Sequence, residues 1–164
     1  MTIHIINLAI YFAFASLLII VFVYDSRWGL IPDFASYGIF GLAVIRILNS
    51  KFQIPDSILN DFLLVLFVFA LFFGLWFFSR GRAMGFGDVK LAPAIALFLG
   101  WPLGLLAMLF SFWFGALYGI LALCWRRGIT MKSEISFGPF LVLGAFIALF
   151  WGNEVFHWYS QLLL

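Results

Sequence analysis

Charge is what this sequence has least of. Only 10% of its 164 residues are Asp, Glu, Lys or Arg, where a soluble domain carries about a quarter. Hydrophobic residues reach 66% and the mean hydropathy is +1.17. That balance excludes an ordinary water-soluble domain and makes lipid the solvent. Cysteine is nearly absent too: the single Cys124 excludes an internal disulfide and any cysteine-based zinc cluster within the chain. The two histidines, His4 and His157, stand near opposite ends, and no H-E-x-x-H pattern occurs. No metal and no other cofactor is therefore expected. The net charge of +2 carries no argument by itself, and no nucleic-acid partner is expected. The first apolar stretch lacks a basic start and a small-residue cleavage site, so it does not read as a cleavable signal peptide.

What is abundant is long apolar runs. Spanning the hydrocarbon core takes about 20 such residues. Residues 3–23 carry no formal charge and fit. Residues 34–48 form a shorter run, bounded by Asp33, in which Arg46 has to snorkel to the interface. Residues 62–78 are uncharged and rich in Phe and Leu. Between Val89 and Trp125 only Lys90 is charged, too long a run for one span. Gly100-Trp101-Pro102 is its natural break, since Pro disfavours helix continuation and Gly permits a turn. This gives a short helix over 89–99 and a full one over 103–124, with a last span over 136–152. The expected fold is an all-α integral membrane protein of six transmembrane helices, two of them short. No repeat, low-complexity linker or composition shift divides it, so residues 1–164 read as one membrane domain. The tail from Asn153 to Leu164 is expected to lie along the interface.

Six helices sort the basic residues unequally. One side receives Arg27, Arg80, Arg82, Lys90, Arg126, Arg127 and Lys132, and the other only Arg46 and Lys51. Lys and Arg concentrate on the cytoplasmic side, so the first side is expected to face the cytoplasm, with both termini outside. If residues 89–124 made one span, the last three basic residues would change sides and the asymmetry would weaken.

Two acids on that side carry the chemical interest. Asp25 ends the first apolar run, where an anion faces the negative end of the helix dipole. It reads either as a residue emerging into water or as a functional intramembrane acid. Asp88 follows Gly85-Phe86-Gly87 and precedes an apolar helix. It reads either as an N-cap or as part of a site whose glycines adopt conformations closed to other residues and let another chain approach. The orientation count puts both acids at one membrane face. Two carboxylates sharing a low-dielectric site do not both ionise easily, so one serves as base and the other as acid. The base activates water against a peptide carbonyl while the acid protonates the carbonyl oxygen.

Three separated segments resemble the type IV prepilin peptidase family of membrane aspartyl proteases. The first is Asp25-Ser26-Arg27-Trp28-Gly29-Leu30-Ile31-Pro32-Asp33. The second is Met84-Gly85-Phe86-Gly87-Asp88-Val89-Lys90-Leu91, which contains the G-x-G-D signature. The third is Ile135-Ser136-Phe137-Gly138-Pro139-Phe140-Leu141. The resemblance implies Asp25 and Asp88 as the catalytic pair. It also implies type IV prepilin-like or pseudopilin precursors as partners, cut just before their hydrophobic helix, in a prokaryotic cytoplasmic membrane. Gly85, Gly87, Lys90, Pro32, Gly138 and Pro139 fall in a supporting role. Pro32 and Asp33 are expected to start the second helix, with Asp33 as N-cap. Lys90 either steadies charge near Asp88 or reaches the interface. Gly138 and Pro139 are expected to shape a wall of the site, and Arg27 and Arg80 to contact lipid phosphates. Gly115 and Gly119 form a G-x-x-x-G pair that suits helix packing, and Cys124 reads as an inert buried residue. Many family members carry two Cys-x-x-Cys pairs associated with N-methylation, and this sequence has none. The resemblance then implies a peptidase without the methyltransferase segment.

Other readings remain. The presenilin group shares Tyr-Asp and G-x-G-D, and Tyr24-Asp25 fits that pattern, but its late motif differs from Phe137-Gly138-Pro139-Phe140. A small proton channel or transporter would also use paired acids, placed near mid-bilayer. A scaffold with a degenerate site would be expected to have damaged motifs. The oligomeric state is left open by the sequence.

Overall fold

In a computed structural model, residues 2–49, 55–82, 84–125 and 136–162 are described. They form six helices: α1 (Thr2–Trp28), α2 (Asp33–Asn49), α3 (Pro55–Ser79), α4 (Phe86–Leu99), α5 (Leu103–Trp125) and α6 (Gly138–Leu162). No strand occurs among the described residues. Four of the helices, α1, α3, α5 and α6, are long and apolar enough to cross a membrane. The other two are the short ones expected from the sequence. At 1.5 Å per residue, the 14 residues of α4 extend only about 21 Å, against a hydrocarbon core of roughly 30 Å.

Short α4 sits at the centre. It packs against α2, α3, α5 and α6, while α5 and α6 pair along their lengths and α1 leans on α2 and α6. Nine of its residues are buried, from Asp88 to Leu99, so it faces protein rather than lipid on most sides. The surrounding helices each contribute one stripe at helical spacing: Phe14, Leu18 and Val21 from α1; Ala35, Ile39 and Ala43 from α2; Leu64, Val68 and Phe72 from α3; Leu141, Ala145 and Ala148 from α6. Phe14 stacks on Phe98 of α4, ring centroids 3.8 Å apart. Their opposite faces remain apolar and uncovered: Phe12, Phe62, Phe78, Trp113 and Phe150 all point outward. So large an apolar exterior fits contact with lipid chains and not with water.

The α4–α5 break falls at Gly100-Trp101-Pro102. Gly100 has φ +71° and ψ 179°, a conformation that favours glycine, and its N–H returns to Ala96 O at 2.9 Å to end the helix. Asp61 of α3 accepts the Trp101 N–H at 2.6 Å. Arg46 does not simply snorkel. Its guanidinium donates to Phe98 O and lies 5.7 Å from the Phe98 ring, because the last carbonyls of α4 lack intrahelical partners. α5 and α6 approach closely at Gly144, where a Cβ would collide with Ala107 O and Ser111.

Three expectations are corrected here. The tail does not leave the last span, since α6 runs without a break to Leu162. Gly115 meets the Phe137 ring, but a Cβ at Gly119 would meet nothing within 4 Å, so the pair is not a shared packing motif. Cys124 is exposed, because it faces out from α5.

Candidate active site

Local signals place each aspartate. α1 ends because Gly29 adopts φ +61° and donates its N–H to Asp25 O at 2.9 Å, which leaves Asp25 in the last helical turn. α4 begins at Phe86 with Gly85 as its N-cap, and Asp88 is the third helical residue. Asp88 is thus not the N-cap itself. Its Oδ2 reaches back to accept the Gly85 N–H at 3.2 Å, the return half of a capping box, since glycine has no side chain to supply the other half.

The two acids meet in one place. α1 ends, and α2, α4 and α6 begin, at the same end of the bundle, where a cavity of about 720 Å³ is lined by both Asp25 and Asp88. Each is only 4% exposed. Asp25 accepts a hydrogen bond from the Ser136 hydroxyl on Oδ2, with the Gly138 backbone close beside the same carboxylate. Gly138 is the first residue of α6, so the positive end of that helix faces Asp25. Asp88 differs: its Oδ1 is buried without a hydrogen-bond partner among the described residues. Buried carboxylate oxygens are rarely left so, and an unpartnered one in a cavity wall is free to engage an incoming water or peptide group.

The supporting residues divide. Gly85, Gly87 and Lys90 line the cavity with the aspartates. Neither glycine has a positive φ, so the conformational freedom expected of them is not used. At Gly87 the missing side chain is what matters, since a Cβ there would stand 2.9 Å from Ile31 Cβ, whereas one on Gly85 would sit in ordinary contact, 3.7 Å from Asp88 Oδ2. Lys90 pairs with Asp33 and not with Asp88, and its ammonium lies 5.5 Å from the Phe86 ring. Asp33 is accordingly the partner of Lys90, and the third and fourth N–H groups of α2, from Ala35 and Ser36, go to Pro32 O at 3.0 and 3.4 Å. Pro32 and Pro139 stand outside the cavity lining. Pro139, second in α6, fits a helical first turn because it lacks an N–H that would have no partner there. Gly138 shapes the site by making room: a Cβ there would overlap the Asp25 carboxylate.

Sequence reasoning gave no role to Ser136, although it lies in the third quoted segment. A hydroxyl two residues before a helix start was the available signal. Trp28, Leu30, Met84, Phe86 and Arg82 also line the cavity and give it apolar walls with one cationic edge. Arg126, Arg127, Lys132 and Lys51, which entered the orientation count, lie outside the described residues.

Residues 12–120 match the type IV leader peptidase family. Among similar proteins, one named prepilin leader peptidase/N-methyltransferase from Aeromonas salmonicida (strain A449) is 29% identical over 136 residues, covering 82% of this chain and 46% of that protein. Proteins of the same name from Legionella pneumophila and Pseudomonas aeruginosa are 31% and 29% identical, covering 82% and 84% of this chain and 47% of each relative. The chain thus spans just under half the length of these relatives. No solved structure matches it.

Proposed function

Since this chain belongs to the type IV leader peptidase family, we propose that it is a membrane aspartic endopeptidase that removes the leader from type IV prepilin-like precursors, with Asp25 and Asp88 as its catalytic pair. The observation that carries this reading is their placement. Two acids from separate helices, both almost fully buried, line one open cavity, and one keeps an unpartnered oxygen. Burying two carboxylates together is costly, and such clusters are concentrated at functional sites.

The chemistry runs through these two groups alone. A water held between them loses a proton to the ionised carboxylate as its oxygen attacks the scissile carbonyl carbon. The protonated carboxyl gives its proton to the carbonyl oxygen, which yields a neutral tetrahedral diol. Proton transfer to the leaving nitrogen and collapse of the diol then break the C–N bond and return one proton to the pair. The substrate backbone has to lie extended across the cavity mouth, beside Trp28, Leu30 and Phe86.

Orientation follows from the basic residues. Arg27, Arg80, Arg82 and Lys90 stand at the cavity end of the bundle and Arg46 at the other, so the site is assigned to the cytoplasmic face of the cell membrane. A proton channel would place its acids at mid-depth, whereas Asp25 and Asp88 lie at one end. The direct test is cleavage of a purified type IV prepilin precursor by the full chain in proteoliposomes. Asp25→Asn and Asp88→Asn are each expected to lower the rate by on the order of 10²–10⁴ or more. Cleavage at the parent rate by either correctly inserted variant would refute the two-aspartate mechanism.

A further inference from the structure

The two carboxylates are held differently. Asp88 is fixed by the backbone of its own helix, through the Gly85 N–H. Asp25 is fixed from outside its helix, by the Ser136 hydroxyl, a residue 111 positions away. Among the described residues Ser136 is the one side chain that hydrogen-bonds either aspartate. The need for such a partner is electrostatic. Asp25 stands in the last turn of α1, where the carbonyl ends of the helix repel an anion. Ser136, just before α6, and Gly138 at its first turn bring a hydroxyl donor and the favourable end of a second helix to the same carboxylate.

We propose that Ser136 is the positioning residue of the pair: its hydroxyl, donated to Asp25 Oδ2, anchors that carboxylate to the start of α6 and aims it at the water it shares with Asp88. This rests on the assignment of Asp25 and Asp88 as the catalytic pair. A carboxylate held at one oxygen by a hydroxyl cannot turn about its Cβ–Cγ bond without losing that donor. Without Ser136, Asp25 loses the side-chain bond that fixes its rotation. The loss is expected on the chemical step, because the Ser136 hydroxyl, although it stands in the cavity wall, donates its proton to Asp25.

The test measures kcat and KM separately for the full chain in proteoliposomes, with a purified type IV prepilin precursor as substrate. Ser136→Ala is expected to lower kcat roughly 10- to 100-fold, the range for one hydrogen bond to a charged group, with KM within about twofold of the parent. Ser136→Thr, which restores a hydroxyl, is expected to recover kcat to within about threefold, whereas Ser136→Val stays low. If Ser136→Ala does not insert, Ser136→Cys keeps the side chain's place with a weaker donor, and the same fall in kcat is expected. Asp25→Asn is measured alongside. An active Asp25→Asn sinks the catalytic pair itself. An inactive Asp25→Asn beside a Ser136→Ala of parent kcat sinks only the role of Ser136, as does a loss confined to KM or an equal loss in Ala and Thr.

Discussion

Gly138→Ala is the smallest change that should damage catalysis while sparing the fold. The added methyl carbon would stand 2.9 Å from Asp25 Cγ and 3.3 Å from its Cβ, and would overlap Oδ2. Optimal carbon contacts lie near 3.5–4.0 Å, so the carboxylate has to retreat by roughly 0.6–1 Å. A misplacement of that size at a reacting group costs about 10²-fold, or some 2.7 kcal/mol of transition-state stabilisation. Helix preference pulls the other way, because Ala is favoured over Gly in a helix by up to about 1 kcal/mol. The variant should therefore insert and unfold near the parent temperature while cleaving about 100-fold more slowly. Initial rates on a purified prepilin precursor, set beside thermal unfolding in the same detergent, separate the two effects. A Gly138→Ala protein that cleaves at the parent rate would show that the Asp25 position against α6 is not needed for turnover.

Two further outcomes concern stability. Gly144→Ala places a Cβ onto Ala107 O and 2.8 Å from Ser111 N, at the closest approach of α5 and α6; it should destabilise by about 1–3 kcal/mol, read by denaturant unfolding in detergent, and an unchanged midpoint would contradict that close approach. Lys90→Met removes the ion pair with Asp33, whose carboxylate is 63% exposed; the expected stability loss is below about 1 kcal/mol and shrinks with added salt, so a larger, salt-independent loss would mean that the pair bears more of the α2–α4 contact.

Much of the fold was legible because membrane helices announce themselves locally. Apolar runs and the Gly100-Trp101-Pro102 break act through their own backbone neighbours, and six helices form in the expected order, although α1 runs on to Trp28, α3 begins already at Pro55 and α6 continues to Leu162. Interactions that join distant segments were not legible. Nothing in the order of residues says that Lys90 turns to Asp33, 57 positions away, or that Ser136 turns to Asp25. The glycines of the G-x-G-D segment show the same limit. Sequence suggests freedom of backbone conformation, but the close approach of Ile31 to Gly87 makes the absent side chain the reason. The tail was misjudged because its Glu, His and Trp residues resemble an interface segment, whereas α6 simply continues through them.

The dipoles explain why the late segment belongs with a site built from two early ones. Asp88, near the start of α4, is stabilised by its own helix; Asp25, at the end of α1, is destabilised by its own. Each effect amounts to about 0.3–1 kcal/mol at exposed positions and more where buried, so without help the two carboxylates would differ in their tolerance of charge. α6 supplies the help, since its N-terminal end abuts Asp25 at Gly138 and the hydroxyl just before it bonds to that carboxylate. The Phe-Gly-Pro-Phe segment thus serves as the second helix start that the arrangement requires. Gly138 leaves space for the carboxylate, Pro139 asks for no partner in the first turn, and Phe137 and Phe140 pack beside Gly115 and Tyr118 of α5 to hold that turn in place. A substitution that displaces α6 at this point should therefore act on Asp25 before it acts on Asp88.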